Sequence, residues 1–589
     1  MPTASRDWSD LAAVAFIVVV VSTLYGARLA DQPIVGEESR WATGAREMLT
    51  TGDWIVPRQQ GVTFPERPPL TMWLMAAVGH FRGDGDVDSI AIRLPSVVAV
   101  VLTSLLIYGY TRALVSGFAA LVAALAYASM GQVLQIGRMG ESEAVFALFV
   151  GASLLVWHLG YMHSWPPLAT WSLGFGCAAL AALVKGPQAP VYFVAITAVY
   201  LAYRRDWRYL VSWQSAAGAA VFAAIIAAWQ IPFYLATDLQ SVTATWAGLA
   251  ADRVQLAGLA QHIVLYPLET FACLLPWSPI LVALVKRETR ALVADQWPMV
   301  SFLLVALAVA YPTVWIVAGA QARYFMPLYP LIAVLVGVVI ERCSTAAMGR
   351  YPRRAWHQFL LCSSTLIGVL SVLALLRSKW ALGSYQPLWF SLTLLLIAAA
   401  AVWALWTCYR VSTTSTRLIA VAAIALFAGV TQAGVLMNVS IARWNDPSAA
   451  VAEIKEIVSS APLVSLTPID HRFAYLYREP IAELAWPLEV DDVPPEVDYF
   501  CFMRHPADTA EEREAGRGRT WTTTPGRLPF AWEEVATICV ERRIRNVPQR
   551  MLVLGRVVKP RQALVSDATK PRSTSINLSS AANSAKVSR

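Results

Sequence analysis

Charge is scarce in this sequence, and where it gathers it stands beside apolar runs. The stretch GEESRWATGAREML (36–49) carries two adjacent carboxylates, Glu37 and Glu38, with Arg40 two residues on. Four more isolated cations, Arg67, Arg138, Lys185 and Arg323, each stand at the mouth of an apolar segment, and several adjoin carboxylates. Cations in such places either snorkel from a helix end towards the headgroups or hold an anion at one face of a bundle. Snorkelling suffices for any one of them. Five on one face point to a site.

The elements that must position these side chains are membrane spans. Hydrophobic residues make up 57% of the 589 and charged ones only 15%, against about 25% in soluble globular chains, which indicates a polytopic membrane protein. The net charge of +8 does not indicate a nucleic-acid partner, because Lys and Arg fall in short clusters and build no basic domain. The seven Cys are scattered, without a CxxC pair or a Cys/His metal spacing. Cys501 and Cys539, in the polar C-terminal region, are the pair that could form a disulfide.

About 13 stretches approach the ~20 apolar residues that a spanning helix needs. They lie near 11–30, 90–110, 114–133, 143–161, 167–184, 187–203, 211–236, 263–285, 298–318, 325–340, 357–376, 387–408 and 417–437. The first is long for a signal-peptide core and reads as a retained signal anchor. The segment 68–81 is too short to span and reads as a re-entrant or interfacial piece. Alternate loops carry Arg112, RRDWR (204–208), KRETR (286–290), ERCSTAAMGRYPRR (341–354) and YRVSTTSTR (409–417), which the positive-inside rule assigns to the cytoplasm. The N-terminus is then cytoplasmic. An odd number of spans puts both the first loop (31–89) and everything beyond 437 outside. On this assignment Arg40, Arg67, Arg138, Lys185 and Arg323 lie on the side that the rule disfavours.

From Glu38 to Leu49, Trp41, Ala42, Ala45, Met48 and Leu49 share one helical face, with Glu38, Arg46 and Glu47 mostly on the other. A short amphipathic helix beside a span lies in the membrane plane, and carboxylates at its N-terminus are favoured by the helix dipole. A helix start alone accounts for Glu37 and Glu38. It does not account for the long Pro- and Gly-rich loop TGDWIVPRQQGVTFPERPPL that follows, a kind of loop that is usually functional.

The stretch GEESRWATGAREMLTTGDWIVPRQQGVTFPERPPLTMWL resembles the first external loop of the bacterial aminoarabinose (lipid A) transferases and their protein O-mannosyltransferase-like relatives. There DE-x-RY is followed by REML-x-SGDW-x-VP and then EKPPL-x-x-W. IRLPS (92–96), GRMGESEAVFALF (137–149), LVKGPQAPV (183–191), LLPW (274–277) and RYFMPLYP (323–330) follow in the family's order. Glu37 stands where the family has its first Asp, Trp41 for its Tyr, Arg67 for the Lys of EKPP, and Glu143 at a second acidic position that is commonly Asp. Arg is not equivalent to Lys at a phosphate.

The resemblance implies an α-helical polytopic membrane protein of the GT-C superfold, to which the helix and strand pattern beyond 437 adds a small external α/β C-terminal domain. It implies transfer of a sugar from a polyprenyl-phosphate donor to a lipid A-like glycolipid, another glycan or a protein, at the outer face of the bacterial cytoplasmic (inner) membrane. A transporter or flippase of lipid-linked sugars is the alternative. Loss of the lipid phosphate from the anomeric carbon builds negative charge on the leaving oxygen, which fixed cations stabilise most strongly in a dry site. Arg67, Lys185 and Arg323 are the first candidates for this, Arg40 and Arg138 the second. An acceptor hydroxyl needs a general base, for which Glu37 comes first and Glu143 next. Glu38, Trp41 and Phe64 are expected to line the substrate. No cofactor is required by this chemistry. Glu66 and His262 are the residues that the resemblance puts near a divalent metal ion, although one Glu and one His are too few ligands to argue a site from spacing.

Beyond 437 the apolar runs shorten. APLVSLTP (461–468), VDYFCFM (497–503) and MLVLGRV (551–557) read as strands, and DPSAAVAEIKEIVSS (446–460) and the stretch around TAEEREAG as helices or connectors. The expected organisation is a transmembrane domain over 1–437, a periplasmic α/β domain over 438–557 and a disordered Ser- and Ala-rich tail over 558–589.

Overall fold

The computed structural model describes residues 4–83, 85–251, 258–345, 350–382, 388–438, 441, 446–504, 528–541 and 550–558. The chain starts with α1 (Ala4–Gly26). The first loop then holds α2 (Glu38–Thr51), a small hairpin of β1 (Arg58–Gln59) and β2 (Val62–Thr63), and α3 (Leu70–Arg82). Next come α4 (Ser89–Leu114), α5 (Gly117–Ser129), α6 (Gly131–Ile136), α7 (Glu143–Met162), α8 (Pro167–Lys185) and α9 (Gln188–Arg204). Among the described residues ten helices are long and apolar enough to span a bilayer, or eleven if the helices Leu259–Cys273 and Ser278–Val285, bent by 112°, form one broken span. The lower count than in the sequence reading arises at α5 and α9, which have 13 and 17 residues. Each nevertheless runs between the two ends of the bundle: Ser116, before α5, meets Glu341, whereas the Gly140 amide, beyond α6, meets Glu38, and α9 leads from Gly186, beside Lys185, to the basic turn at 204–208. The helix Tyr329–Thr345 is apolar all round and buried along almost its whole length, as a central rod of a bundle must be.

In the first loop, Trp41, Ala42, Ala45 and Met48 of α2 pack on Met72, Met75 and Ala76 of α3. Glu38 departs from the sequence reading. The sequence puts it on the polar face and among the substrate contacts, yet it is fully buried. Its Oε1 accepts from Arg93 Nε at 2.8 Å and from the Gly140 amide at 2.7 Å; its Oε2 accepts from Arg93 Nη2 at 2.9 Å and from the Val35 amide at 3.0 Å. Helical periodicity identifies a polar face but not what covers it, and here another span supplies the counter-ion. Glu38 therefore braces α2 against α4 and has no lone pair to offer a substrate.

The C-terminal region forms a five-stranded mixed sheet of β3 (Leu463–Ser465), β4 (Ala482–Glu483), β5 (Tyr499–Arg504), β6 (Trp532–Glu541) and β7 (Arg550–Val557), in the order β4-β3-β5-β7-β6. The helices Ser448–Val458 and His471–Tyr477 pack on it. The three expected strands are β3, β5 and β7. Sequence reasoning missed β6, whose Glu533 and Glu534 interrupt the apolar signal; it is an edge strand, where charge is the usual protection. Cys501 pairs with Leu554 and Cys539 with Met551, so β7 lies between them and both thiols are free. Two strand spacings are ~10 Å, beyond the reach of a disulfide. The TAEEREAG stretch and residues 559–589 lie outside the described residues.

This sheet unit docks on the first loop. Arg40 Nε donates to His471 Nε2 at 3.1 Å, the Tyr475 hydroxyl to the Val87 carbonyl at 2.8 Å, and the Ile481 amide to Gln60 Oε1 at 2.7 Å. Asp86 takes Arg46 at 2.9 Å and Arg478 at 2.8 Å. Desolvation pushes the Asp86 carboxyl up, but the two guanidiniums outweigh it and hold its pKa below the ordinary value. The first loop and the C-terminal unit thus share one end of the bundle, as the odd span count expects.

Candidate active site

At that same end three helix termini bring charge together. The turn between α6 and α7 carries Glu141, and α7 opens on Glu143, where the helix dipole favours a carboxylate. The turn can press on α4 because residue 140 is glycine: a Cβ there would lie 2.1 Å from Ile92 Cγ2. Lys185 is the last residue of α8, which stops because Gly186 adopts φ 95°. Arg323 stands on the 3-10 turn Ala322–Leu328 that leads into the central helix.

Lys185 Nζ lies 2.7 Å from Glu143 Oε1, and Arg323 Nε lies 3.5 Å from the same oxygen. Arg323 Nη1 is 3.4 Å from Glu141 Oε2. The Lys185 ammonium also sits 5.0 Å from the centre of the Tyr324 ring. Both carboxylates are buried, whereas the Arg323 side chain keeps 24% exposure and so opens the cluster to the outside. Glu143 Oε2 is buried with no hydrogen-bond partner among the described residues, which leaves one acceptor unspent beside two cations. Burial first and the Glu143 carboxylate second push the Glu141 carboxyl up, against the pull of Arg323.

The first loop closes over this cluster. A Cβ on Gly36 would lie 3.0 Å from Glu141 Oε1, so the start of α2 rests on the buried pair. Glu37 follows, and its charge acts on both Glu141 and Arg323. Arg40 Nη1 ties Glu37 at 3.0 Å and Glu66 at 3.3 Å, with its guanidinium 5.2 Å from the centre of the Phe64 ring. The charge of Arg67 acts on Lys185. Of the expected site residues, Glu143, Lys185 and Arg323 therefore meet directly, and Glu37 and Arg67 lie within electrostatic reach.

Other expectations are corrected. Arg138 is buried and donates to the Ala27 carbonyl just beyond α1, where it fastens a helix end. Trp41 and Phe64 are buried with ring centres 6.2 Å apart, and the Arg40 guanidinium lies over the Phe64 ring. Glu66 is engaged by Arg40, and His262 Nε2 lies 3.3 Å from the Val314 carbonyl oxygen. Among the described residues no group of three or more His, Cys, Asp and Glu side chains could hold a metal ion. With Glu66 and His262 each engaged by another group, the two do not fit a metal centre. Sequence reasoning missed Glu141, although GESE offers two acids at the mouth of a span. It also passed over Arg93, a cation inside an apolar run, which by itself announces a buried partner.

Comparison with known proteins adds the following. Residues 66–231 match the family described as dolichyl-phosphate-mannose-protein mannosyltransferase. Over 158 residues the chain is 35% identical to an undecaprenyl phosphate-alpha-4-amino-4-deoxy-L-arabinose arabinosyl transferase of Edwardsiella ictaluri, covering 27% of each protein. Over 191 residues it is 31% identical to such a transferase of Proteus mirabilis, covering 31% of this chain and 32% of that one. The matched stretches thus span about a quarter to a third of these curated relatives. The crystal structure of ArnT from Cupriavidus metallidurans bound to undecaprenyl phosphate superposes with a TM-score of 0.67 at 17% identity, over 93% of this chain and 98% of that one. At that identity the likeness concerns the fold: the chain shares the multi-pass helical membrane architecture of that structure.

Proposed function

We propose that the chain is a membrane glycosyltransferase that moves a sugar from a polyprenyl-phosphate donor to a glycolipid, glycan or protein acceptor. The observation that carries the reading is the convergence of Lys185 and Arg323 on a buried carboxylate pair, beside Glu37, at the end of the bundle covered by the first loop. The named relatives act on undecaprenyl phosphate carrying an aminopentose, and a sugar of that class is the first donor to test. The carrier's apolar tail stays among the spans while its phosphate meets Lys185, Arg323 and Arg67 at headgroup level. The acceptor oxygen forms a bond to the anomeric carbon as the bond to the carrier phosphate breaks. The phosphate leaves with the electron pair, and the cations stabilise the charge that builds on it. The proton of an acceptor hydroxyl passes to Glu37, the carboxylate on the outer side of the cluster. A flippase would instead place its charges near the midplane of broken, repeated helices, and the charges here stand at helix ends.

Replacing Glu37 with Gln keeps the size and removes the proton acceptor. Initial rates of purified protein with a lipid-linked aminopentose are expected to fall by about 10²-fold or more, with unchanged expression and unfolding midpoint. A near-normal rate would return Glu37 to a helix-start role and pass the base to Glu143.

The same proposal holds that the membrane is the bacterial cytoplasmic one, with the N-terminus inside and the transmembrane part, 1–437, and the C-terminal part, 438–557, meeting outside. A topology reporter at Arg205 should then report the cytoplasm, and reporters at Gly61 and Asp492 the periplasm. Reporters at Gly61 and Asp492 on opposite sides would contradict both the assignment and the contact between Gln60 and Ile481.

A further inference from the structure

The central helix Tyr329–Thr345 begins beside Arg323 and ends about 25 Å away at ~1.5 Å per residue. At that far end a cleft opens between helix termini. Its volume is about 180 Å³. Ser344 and Thr345 close the central helix on one side of it. Arg353, Trp356 and His357 come from the start of the helix Arg350–Leu382, and Tyr409, Arg410 and Ser412 from the end of Leu388–Arg410 and its continuation.

The cleft is basic and lacks counter-ions. Between Arg342 and Asn445 the sequence contains no Asp or Glu. The carboxylates nearest along the chain and across it are engaged elsewhere: Asp295 lies 2.6 Å from Arg342, and Glu341 accepts from the Ser116 hydroxyl. Among the described residues no carboxylate pairs with Arg353, Arg410 or Arg417. Arg417 stands behind the cleft and donates to Ser344 Oγ at 3.4 Å, and Lys286 lies 5.8 Å from the centre of the Tyr351 ring. Two helix C-termini face the cleft, and their dipoles oppose an anion. The guanidiniums of Arg353 and Arg410, the His357 imidazole and the hydroxyls of Tyr409 and Ser412 outweigh them.

The surroundings are those of a headgroup layer. Arg410 lies 4.9 Å from the centre of the Trp406 ring, and Trp406 and Trp403, one and two turns down the same helix, are 55% and 64% exposed, which gives an apolar wall running from the cleft down the outside of the bundle. Aromatic rings and cations in that arrangement mark the membrane–water boundary. We infer that this cleft is a second anion site, distinct from the Glu141–Glu143 cluster, which takes the phosphate of an anionic phospholipid on the opposite membrane face, with the acyl chains along the Trp406 wall. Basic pockets between helix ends are suited to such headgroups.

The test uses the full-length protein in neutral detergent, with retention of phosphatidylglycerol read by native mass spectrometry. The double variant Arg353→Ala/Arg410→Ala should weaken retention about tenfold or more, while Arg353→Lys/Arg410→Lys keeps most of it. Arg287→Ala/Arg290→Ala, in the neighbouring basic loop, should leave it unchanged. Equal loss in the cleft and loop variants, or no loss in either, would reduce the site to diffuse surface charge and overturn the inference. Inorganic phosphate serves as the competing source. Phosphatidylglycerol that stays bound in excess phosphate supports the lipid assignment, whereas binding of phosphate alone overturns it. Both arginine side chains are exposed, so a fold defect does not obscure the outcome, and gel filtration of each variant checks this.

Discussion

Lys185→Ala should lower turnover by about 10²–10³-fold, the range seen when a fixed donor to a developing oxyanion is removed. Lys185 is buried and its ammonium lies 2.7 Å from Glu143. A loss of rate could therefore come from a buried carboxylate left without its partner, which is itself strongly destabilising. The pair Lys185→Met/Glu143→Gln separates the two causes, since it removes both charges and leaves Arg323 its pair with Glu141. It should unfold near the wild-type midpoint and still turn over poorly. Arg323→Ala should also be slow, and the double variant with Lys185→Ala less slow than the product of the two losses, because both cations touch one carboxylate and would touch one phosphate. The loss should persist with short-chain carriers, for the phosphate is common to all of them. Strict additivity, or recovery when the carrier tail is shortened, would make these cations anchors of the fold or of the lipid.

What could be read in advance depended on how local each signal was. Spans announce themselves by composition, and the positions of Lys185 and Arg323 followed from lone cations at span mouths. That they meet on Glu143 is a tertiary fact, since α7, α8 and the turn before the central helix are joined only in space. The opening amphipathic helix was legible from its period. Its cover was not: Glu38 reads as solvent-facing until Arg93 is brought against it from another span. Arg40 and Arg138 look alike in sequence, each a single cation near an apolar run. One is held at the outer rim between Glu37 and Glu66, the other is buried against the end of α1. Only the neighbours distinguish them. In the C-terminal unit, short strands with strong apolar cores were visible, and the charged edge strand was not.

The buried pair of Glu38 and Arg93 should be the point at which this end of the molecule fails first. Both side chains are almost fully buried, and Glu38 uses both oxygens twice, on Arg93, on the Val35 amide and on the Gly140 amide. It thereby joins α2, α4 and the turn that carries Glu141. Removing one member leaves the other charged and unpaired in a dry setting, a change that costs about 3–5 kcal/mol. Glu38→Ala and Arg93→Met should each lower the unfolding midpoint in detergent by an amount of that size. Glu38→Gln should be milder in packing yet still costly, because the neutral amide offers one oxygen to four donors. The double variant Glu38→Gln/Arg93→Met should recover part of the loss, since no bare charge remains, although the two amides still lose acceptors. Turnover should fall in the single variants even at temperatures where they remain folded, because Gly140 lies next to Glu141 and the loosened turn no longer holds the Glu141–Glu143 pair against Arg323. Single variants with wild-type midpoints would mean that water reaches the pair, and full turnover in a folded Glu38→Ala protein would detach this brace from the chemistry.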